Sequence, residues 1–182
     1  MKQAPVPIII DIEASGFSSY SYPIEVGVVL SDGTKYCSLI LPLDSWTHWD
    51  LNAEQAHGIS RKQLAAFGKP PRQVAQELNE LIGEETAYSD GWVVDKPWLI
   101  RLFHAAGIDM CFRLSPLELI LSEQQMTQWH TTKNRLFNTS HDERHRASHD
   151  AWVIQQTFMQ TLRYNPSSVV TPFVRRSARP AG

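Results

Sequence analysis

The sequence has 182 residues, which is a usual size for one domain and is long enough to bury a core without disulfides. Its formal net charge of −2 and its pI near 6.4 exclude a large basic surface that coats long duplex DNA. They do not exclude a protein that binds the end of a nucleic acid, because bound divalent metals would supply local positive charge.

The cysteine content and the N-terminal segment indicate where in the cell the protein is located. The two cysteines, Cys37 and Cys111, match no metal-binding or redox spacing, so we expect two reduced and buried thiols. Pro5 and Pro7 interrupt the N-terminal segment, whose short apolar stretches are typical of neither a signal peptide nor a membrane span. We therefore expect a cytoplasmic protein that does not cross a membrane.

The first ninety residues contain the patterns that predict strands. Three consecutive isoleucines, Ile8 to Ile10, predict a strand that is buried on both of its faces. The segments 24–30 and 34–41 predict two further strands that form a hairpin around a tight turn at 31–33. Thr86 to Tyr88 predicts a short fourth strand.

Helical spacing and capping signals predict helices between and after these strands. Gly58 ends a short first helix, and Ser60 starts a second one with a Ser-x-x-Gln capping box. The remaining predicted helices are residues 71–82, 95–106, 116–137 and 147–163. The predicted core contacts of the last two are Leu117, Ile120, Leu121, Met126, Ala151, Ile154, Phe158 and Leu162. This order predicts an α/β fold with a mixed sheet flanked by helices in residues 1–164, followed by a flexible tail at 165–182.

Two carboxylates follow the three isoleucines. Asp11 and Glu13 are two residues apart, so in a strand their side chains point to the same side. Two anions held that close repel each other unless a cation lies between them, and hard oxygen ligands suit magnesium or manganese. Gly16 would let the backbone turn tightly beside a bound ligand. The alternative is a strand that simply ends in solvated acids.

Further acids and a histidine lie downstream. Asp95 follows the short fourth strand at the start of a predicted helix, where the alternative is a simple N-cap. His145 lies five residues before Asp150, and both can face one site at the start of the last helix. The alternatives here are a solvated histidine and an aspartate that the helix dipole favours in a first turn.

The order of these residues resembles the DEDDh 3′–5′ exonucleases, which include the proofreading subunits of bacterial replicative polymerases, ribonuclease T and oligoribonuclease. The resemblance extends from about Pro7 to Arg163. The segments Ile24-Glu25-Val26-Gly27 and His57-Gly58-Ile59 are similar to stretches that are common in the proofreading-like branch. The positions that carry the resemblance are Asp11, Glu13, Asp95, His145 and Asp150.

The resemblance implies a ribonuclease H-like fold with a sheet of about five strands. It also implies an enzyme that removes nucleoside 5′-monophosphates from the 3′ end of single-stranded DNA or RNA, with two Mg²⁺ or Mn²⁺ ions per site. Asp11 would bridge both ions, Glu13 and Asp150 would hold one, and Asp95 would support the other. His145 would take a proton from the attacking water.

The resemblance further implies the partners of the chain. The backbone at Ala14 would contact the terminal sugar, and Phe17 would pack against the terminal base. Asp90 is a second candidate for the central acid. Association as a homodimer or with a polymerase stays open, and the alternative function is a catalytically inactive nucleic-acid-binding or protein-binding module on the same fold.

Three other groups of residues allow two interpretations each. His141, His145 and His149 recur every four residues, which is also compatible with a zinc site. Four tryptophans are candidate base-stacking platforms or core residues, namely Trp46, Trp49, Trp92 and Trp98. Five cations are candidate phosphate contacts or parts of a solvated face, namely Arg101, Lys133, Arg135, Arg144 and Arg146.

Overall fold

A five-stranded mixed sheet forms the centre of the computed structural model, which describes residues 5–140 and 146–163. The strands are β1 (Ile8–Ala14), β2 (Pro23–Val29), β3 (Lys35–Leu39), β4 (Thr86–Ser89) and β5 (Arg113–Pro116). Their order across the sheet is β3-β2-β1-β4-β5. The pairs β1/β2 and β2/β3 are antiparallel, whereas β4 is parallel to both β1 and β5.

The described residues also form six α-helices and one short 3₁₀ helix. The α-helices are α1 (Leu51–His57), α2 (Arg61–Phe67), α3 (Pro71–Ile82), α4 (Trp92–Ala106), α5 (Glu123–Thr139) and α6 (Ala147–Leu162), and the 3₁₀ helix is Leu117–Ile120. The predicted capping box forms at the start of α2, between Ser60 and Gln63. The sheet flanked by helices confirms the α/β fold, and it is consistent with a ribonuclease H-like fold.

The alternation of side chains along β1 assigns the two faces of the sheet. Ile8, Ile10 and Ile12 pack into the core that includes residues of α3 and α4. Ile9 packs on the opposite face, in the cluster that includes residues of α6. Burying one such side chain contributes about 1.5–3 kcal/mol, so this pattern fixes the register of β1 firmly. Asp11 and Glu13 have the parity of Ile9, so they lie on the face that α6 covers.

The start of α6 is held against β2 by one buried carboxylate and one glycine. The Glu25 side chain is fully buried and accepts hydrogen bonds from the Ala147 backbone N–H at 2.9 Å and from Arg146 Nη2 at 2.6 Å. Two residues along β2, a Cβ atom on Gly27 would lie 2.1 Å from the backbone nitrogen of Ser148. Gly27 is also the antiparallel partner of Asp11. Its missing side chain therefore brings the first turn of α6 next to the acids of β1.

The predicted helix over residues 116–137 is wrong in its first part. β5 ends at Pro116, the 3₁₀ helix follows, and α5 begins only at Glu123. Ser122 caps α5 through a second capping box with Gln125, which is a Ser-x-x-Gln pattern that the sequence already contains. The prediction joined the apolar segment 117–121 and the polar stretch after it into one helix, although Ser122 marks the true start.

Several predicted core contacts are wrong because they lie on solvent-facing sides of their helices. Met126 is 46% exposed, and Ile120 and Leu162 are also exposed. Leu117, Ala151, Ile154 and Phe158 are buried as predicted.

The thiols of Cys37 and Cys111 are free, but both residues are exposed rather than buried.

One further difference concerns the start of a helix. α4 begins at Trp92, three residues before the predicted start at Asp95. The predicted tail at 165–182 lies outside the described residues. Within 5–140 and 146–163, every helix is too short or too polar to cross a bilayer.

The contact at Gly27 generates a prediction about stability. The change Gly27→Ala puts a methyl group into the backbone of α6, so we expect it to lower the free energy of unfolding by about 3 kcal/mol or more. Gly33→Ala is the control, because a Cβ there meets open space and only the positive φ of 88° is unfavourable. Urea unfolding of both variants measures the difference. Equal losses in the two variants would contradict the proposed packing.

Candidate functional site

Three carboxylates converge where β1 meets the start of α6. One oxygen from each of Asp11, Glu13 and Asp150 lies within 4.8 Å of the others. These three acids and Asp95 line a cleft of about 290 Å³, which we call the acidic cleft. Its other lining residues are Ile12, Ala14, Gly16, Phe17, Ala53, Ala56, His57, Gly91, Val94 and Trp98. Four of the five residues that carry the resemblance therefore line one cleft.

The electrostatics of the acidic cleft are unfavourable for bare anions. Burial raises the pKa of Asp11 well above its ordinary value, and the charges of Asp95, Glu13 and Asp150 raise it further. Burial also raises the pKa of Glu13 to about 8, with Asp150 adding to the shift and Arg146 opposing it. A cation at this point would offset both the desolvation and the mutual repulsion. The hard oxygen donors of these acids fit a divalent cation.

Asp95 reaches the cleft from the first turns of α4. The N-cap of α4 is Gly91, so the alternative that Asp95 is the N-cap is wrong. The Asp95 side chain is buried, and Ser89 Oγ donates a hydrogen bond to its Oδ2, while the Gly91 N–H donates to Ser89 Oγ at 3.0 Å. Burial raises the pKa of Asp95 to about 7, and the Ser89 hydrogen bond opposes this shift. β4 and the start of α4 thus hold Asp95 in one orientation.

Asp90, the second candidate for the central acid, has a different surrounding. Its Oδ2 forms an ion pair with Lys133 of α5. It lines a separate pocket together with Trp129 and His130. Asp95 is therefore the acid that shares a cleft with Asp11, Glu13 and Asp150.

The structure describes one of the three predicted histidines, His149. His145 and His141 lie outside the described residues, so the base role and the zinc alternative stay predictions. His149 is buried in α6, where its Nε2 lies 3.0 Å from Ser140 Oγ and its ring stacks on Trp152 at 5.9 Å between centroids. Among the described residues, the group with metal-ligand geometry consists of carboxylates alone.

Arg146 is the described residue that follows His145 in the chain. Its guanidinium forms a fork with the Glu25 carboxylate, with Nε at 3.0 Å and Nη2 at 2.6 Å from Oε1. Glu25 lies directly opposite Glu13 in the pairing of β1 and β2. Arg146 therefore neutralises a buried anion beside the acidic cleft and fixes the backbone next to His145.

The other predicted phosphate contacts already have protein partners. Arg101 donates to the carbonyl oxygens of Ser21 at 2.5 Å and Ser19 at 3.1 Å. Lys133 pairs with Asp90, and Arg135 donates to Gln160 at 2.7 Å. Arg144 lies outside the described residues. Among the described residues, Arg146 at the N-cap of α6 supplies positive charge beside Glu13, and Lys133 of α5 supplies positive charge nearer Asp95.

Phe17 lies at the mouth of the acidic cleft, in the segment between β1 and β2. Its side chain is 80% exposed, and its ring centroid lies 5.8 Å from that of Trp98 in α4. The same segment is tied back by the Ser15 N–H, which donates to the Tyr22 carbonyl at 2.9 Å. Trp46 stacks on the buried Tyr22 at 5.2 Å, so Trp46 and Trp98 both help to support this segment. Phe17 itself presents a free aromatic face to the cleft.

Sequence reasoning did not assign the α1 wall of the cleft. Ala56 and His57 line it three and four residues after Ala53, which places all three on one side of the helix. His57 is buried, and its Nδ1 accepts the Ile59 N–H at 3.0 Å because Gly58 turns the chain back with a φ of 69°. The sequence pattern that could have predicted this wall is two small residues and a histidine on one face of the helix.

Comparisons with known proteins give structural neighbours but no sequence relatives. No family model and no curated protein matches the sequence. E. coli Exonuclease I in complex with a dT13 oligonucleotide matches with a TM-score of 0.64 and 13% identity, over 85% of this chain and 40% of that chain. The zinc-ion-bound form of an E. coli Exonuclease I complex with single-stranded DNA matches with a TM-score of 0.63 and 13% identity, over 85% of this chain and 39% of that chain. A product-bound exonuclease I structure matches with a TM-score of 0.60 and 11% identity, over 85% of this chain and 44% of that chain.

These likenesses show a shared fold. The chain spans about 40% of the length of the Exonuclease I chains that it matches. The arrangement of the sheet and its helices is thus shared with Exonuclease I, whereas the acids of the cleft are identified from this chain alone.

The raised pKa values generate a prediction for the metal-free protein. The pKa of Glu13 rises from its ordinary value of 4.5 to about 8 on folding, so the folded state binds the proton more tightly than the unfolded state. This contribution to stability is complete below about pH 4.5 and is lost as the pH rises to about 8. We expect the melting temperature in EDTA to fall over this range, and Glu13→Gln to flatten the fall.

The control is the exposed Glu80, whose change to Gln should leave the pH profile as in the wild type. Added Mg²⁺ or Mn²⁺ should raise the melting temperature more at pH 8 than at pH 5, because protons compete for the same carboxylates. When the metal concentration is 100 times its dissociation constant, the free energy of unfolding rises by about 2.7 kcal/mol. A profile that is identical in the wild type and Glu13→Gln would contradict the electrostatic account.

The Glu25–Arg146 contact generates a second prediction. Arg146→Ala leaves the fully buried Glu25 carboxylate without its cationic partner, so we expect a loss of about 3–5 kcal/mol in urea unfolding. The double variant Glu25→Gln/Arg146→Ala removes the buried charge as well and should recover part of this loss. A double variant that is less stable than Arg146→Ala would show that the carboxylate does not depend on this arginine.

Proposed function

We propose that this chain is a metal-dependent 3′–5′ exonuclease of the DEDDh superfamily that acts on single-stranded nucleic acid. The observation that carries the proposal is the convergence of Asp11, Glu13 and Asp150, whose oxygens lie within 4.8 Å of one another. Asp95 lines the same cleft from a different element. Desolvated carboxylates gathered in this way are unfavourable for folding, so a role in binding a cation accounts for their presence.

The four acids divide into two sets of ligands in this proposal. Asp11, Glu13 and Asp150 would hold one Mg²⁺ or Mn²⁺ ion, and Asp95 would support a second together with Asp11. When bound, such ions act as Lewis acids that stabilise negative charge on phosphodiester oxygens. Ser89 keeps Asp95 Oδ2 in a fixed orientation through its hydrogen bond. Arg146 restrains Glu25, so that this buried carboxylate does not add a free negative charge next to Glu13.

His145 acts as the base in the proposed reaction. It takes a proton from a water molecule, whose oxygen bonds to the phosphorus of the terminal phosphodiester. The bond from phosphorus to the 3′ oxygen of the preceding nucleotide breaks, and that oxygen takes up a proton. The product is a nucleoside 5′-monophosphate. The fork between Arg146 and Glu25 anchors the residue that directly follows His145 in the chain.

The size and walls of the acidic cleft support a site for one terminal nucleotide. Its volume of about 290 Å³ lies just below the range of small-ligand sites, which is about 300–1,000 Å³. Phe17 offers an exposed aromatic face on which the terminal base stacks, and the Ala14 backbone lies beside the sugar. The Exonuclease I neighbours were solved with dT13 and dA16 oligonucleotides, which favours a single-stranded substrate here too.

The central test is the loss of activity in Asp11→Asn. The wild type should release nucleoside 5′-monophosphates from 3′-labelled oligonucleotides with Mg²⁺ or Mn²⁺, and EDTA should abolish the release. Asp11→Asn removes a ligand charge, so we expect a decrease of more than about 100-fold in rate. His145→Ala removes the base and should cost about 100- to 10,000-fold. A panel of single-stranded DNA, RNA and dinucleotides identifies the substrate class.

Asp109→Asn is the matched control, because it makes the same change at an exposed acid outside the acidic cleft. It should retain the wild-type rate. Wild-type rates in Asp11→Asn and His145→Ala would contradict the assignment of the site. Binding of oligonucleotides without any metal-dependent cleavage would instead identify the chain as an inactive binding module.

A further inference from the structure

A second and larger cleft opens on the other side of the segment that carries Phe17. Its volume is about 750 Å³, and its walls come from the segment after β1, the segment 43–48 and the last turns of α4. We call it the basic cleft. The residues on which the argument depends are Tyr20, Trp46, Thr47, His48, Arg101 and His104.

The charge of the basic cleft is opposite to that of the acidic cleft. The described residues that line it include no carboxylate, but they include one guanidinium and two imidazoles. Arg101 is held by backbone carbonyl oxygens and takes part in none of the ion pairs among the described residues, so its charge is not neutralised by an anion. Arginine and imidazole N–H groups are the usual donors to phosphate oxygens. The basic cleft is therefore suited to an anionic ligand.

Aromatic rings accompany these donors. Tyr20 is 75% exposed and lies three residues after Phe17 in the same segment. Trp46 lines the cleft and is stacked on the buried Tyr22, which holds its ring in place. Basic groups interleaved with exposed aromatic rings are the combination that single-stranded nucleic acids bind, through their phosphates and the faces of unstacked bases.

One histidine forms part of the wall between the two clefts. His48 lines the basic cleft, and its Cε1 would lie 3.0 Å from a Cβ on Gly16, which lines the acidic cleft. His48 Nδ1 also lies 3.3 Å from Ser21 Oγ. The φ of 146° at Gly16 and this close approach require glycine. The two clefts therefore adjoin at Gly16 and His48, beside the segment that carries Phe17 and Tyr20.

We propose that the basic cleft binds the internucleotide phosphates on the 5′ side of the nucleotide held at the acids, with Tyr20 stacking on one of the bases. The proposal rests on the proposed function, since it assigns the path of the same substrate. It assigns no role in the chemical step to these residues. Their effect is on the affinity for long strands.

The test measures binding separately from cleavage. Fluorescence anisotropy with a labelled oligothymidylate of about 12 nucleotides in EDTA gives the dissociation constant without hydrolysis. His104→Glu places a negative charge in the basic cleft and should raise that constant about tenfold. Tyr20→Ala removes a stacking face and should raise it at least about fivefold. His130→Glu makes the same charge change at an exposed histidine of α5 and should leave it unchanged.

A second measurement uses substrate length as the internal control. In the presence of metal, His104→Glu should raise KM for the long strand but leave hydrolysis of a dinucleotide as in the wild type. Wild-type affinity in both His104→Glu and Tyr20→Ala would overturn the proposal, and so would equal effects on the long strand and the dinucleotide. If the wild type binds the long strand but does not cleave it, the proposed function fails while the binding result still decides this inference.

Discussion

The contact between the Glu25 carboxylate and the start of α6 is the constraint on which the acidic cleft depends. Glu25 is fully buried, and its oxygens accept from Arg146 and from the Ala147 N–H. An ionised carboxylate is stable in such a position only while these donors stay in place, so the contact and the folded state require each other. Gly27 lets the two backbones meet, and Asp150 then enters the cleft one turn into α6.

The packing of β1 explains how the protein holds buried and half-buried acids close together. Asp11 and Glu13 extend a strand whose isoleucines fill both faces of the sheet, so apolar burial holds the acids where solvation would not. Their raised pKa values record the electrostatic cost of that placement. The cost of the site is offset by the packing of β1 between the two layers of helices.

The parts of this site that follow from local chemistry were predictable from the sequence. The alternation along β1 was enough to put Asp11 and Glu13 on one side, the capping box located α2, and the helical spacing of apolar residues located α6. The helix start at Trp92 was missed because Asp95 has the properties of an N-cap, although tertiary contacts make it part of the cleft. Glu25 was noted only as part of a familiar stretch, because its partner Arg146 lies 121 positions away and no local pattern connects them.

The segment between β1 and β2 joins the two clefts into one arrangement. Arg101 of α4 holds its carbonyl oxygens, and His48 packs against its first glycine, so its backbone is restrained from both sides. Its two large aromatic side chains, Phe17 and Tyr20, are nevertheless exposed. Apolar rings on a restrained backbone gain little from folding when they face water, so their exposure is better explained by a ligand than by stability. The segment thus separates a group of acids on one side from Arg101, which forms no ion pair among the described residues, on the other.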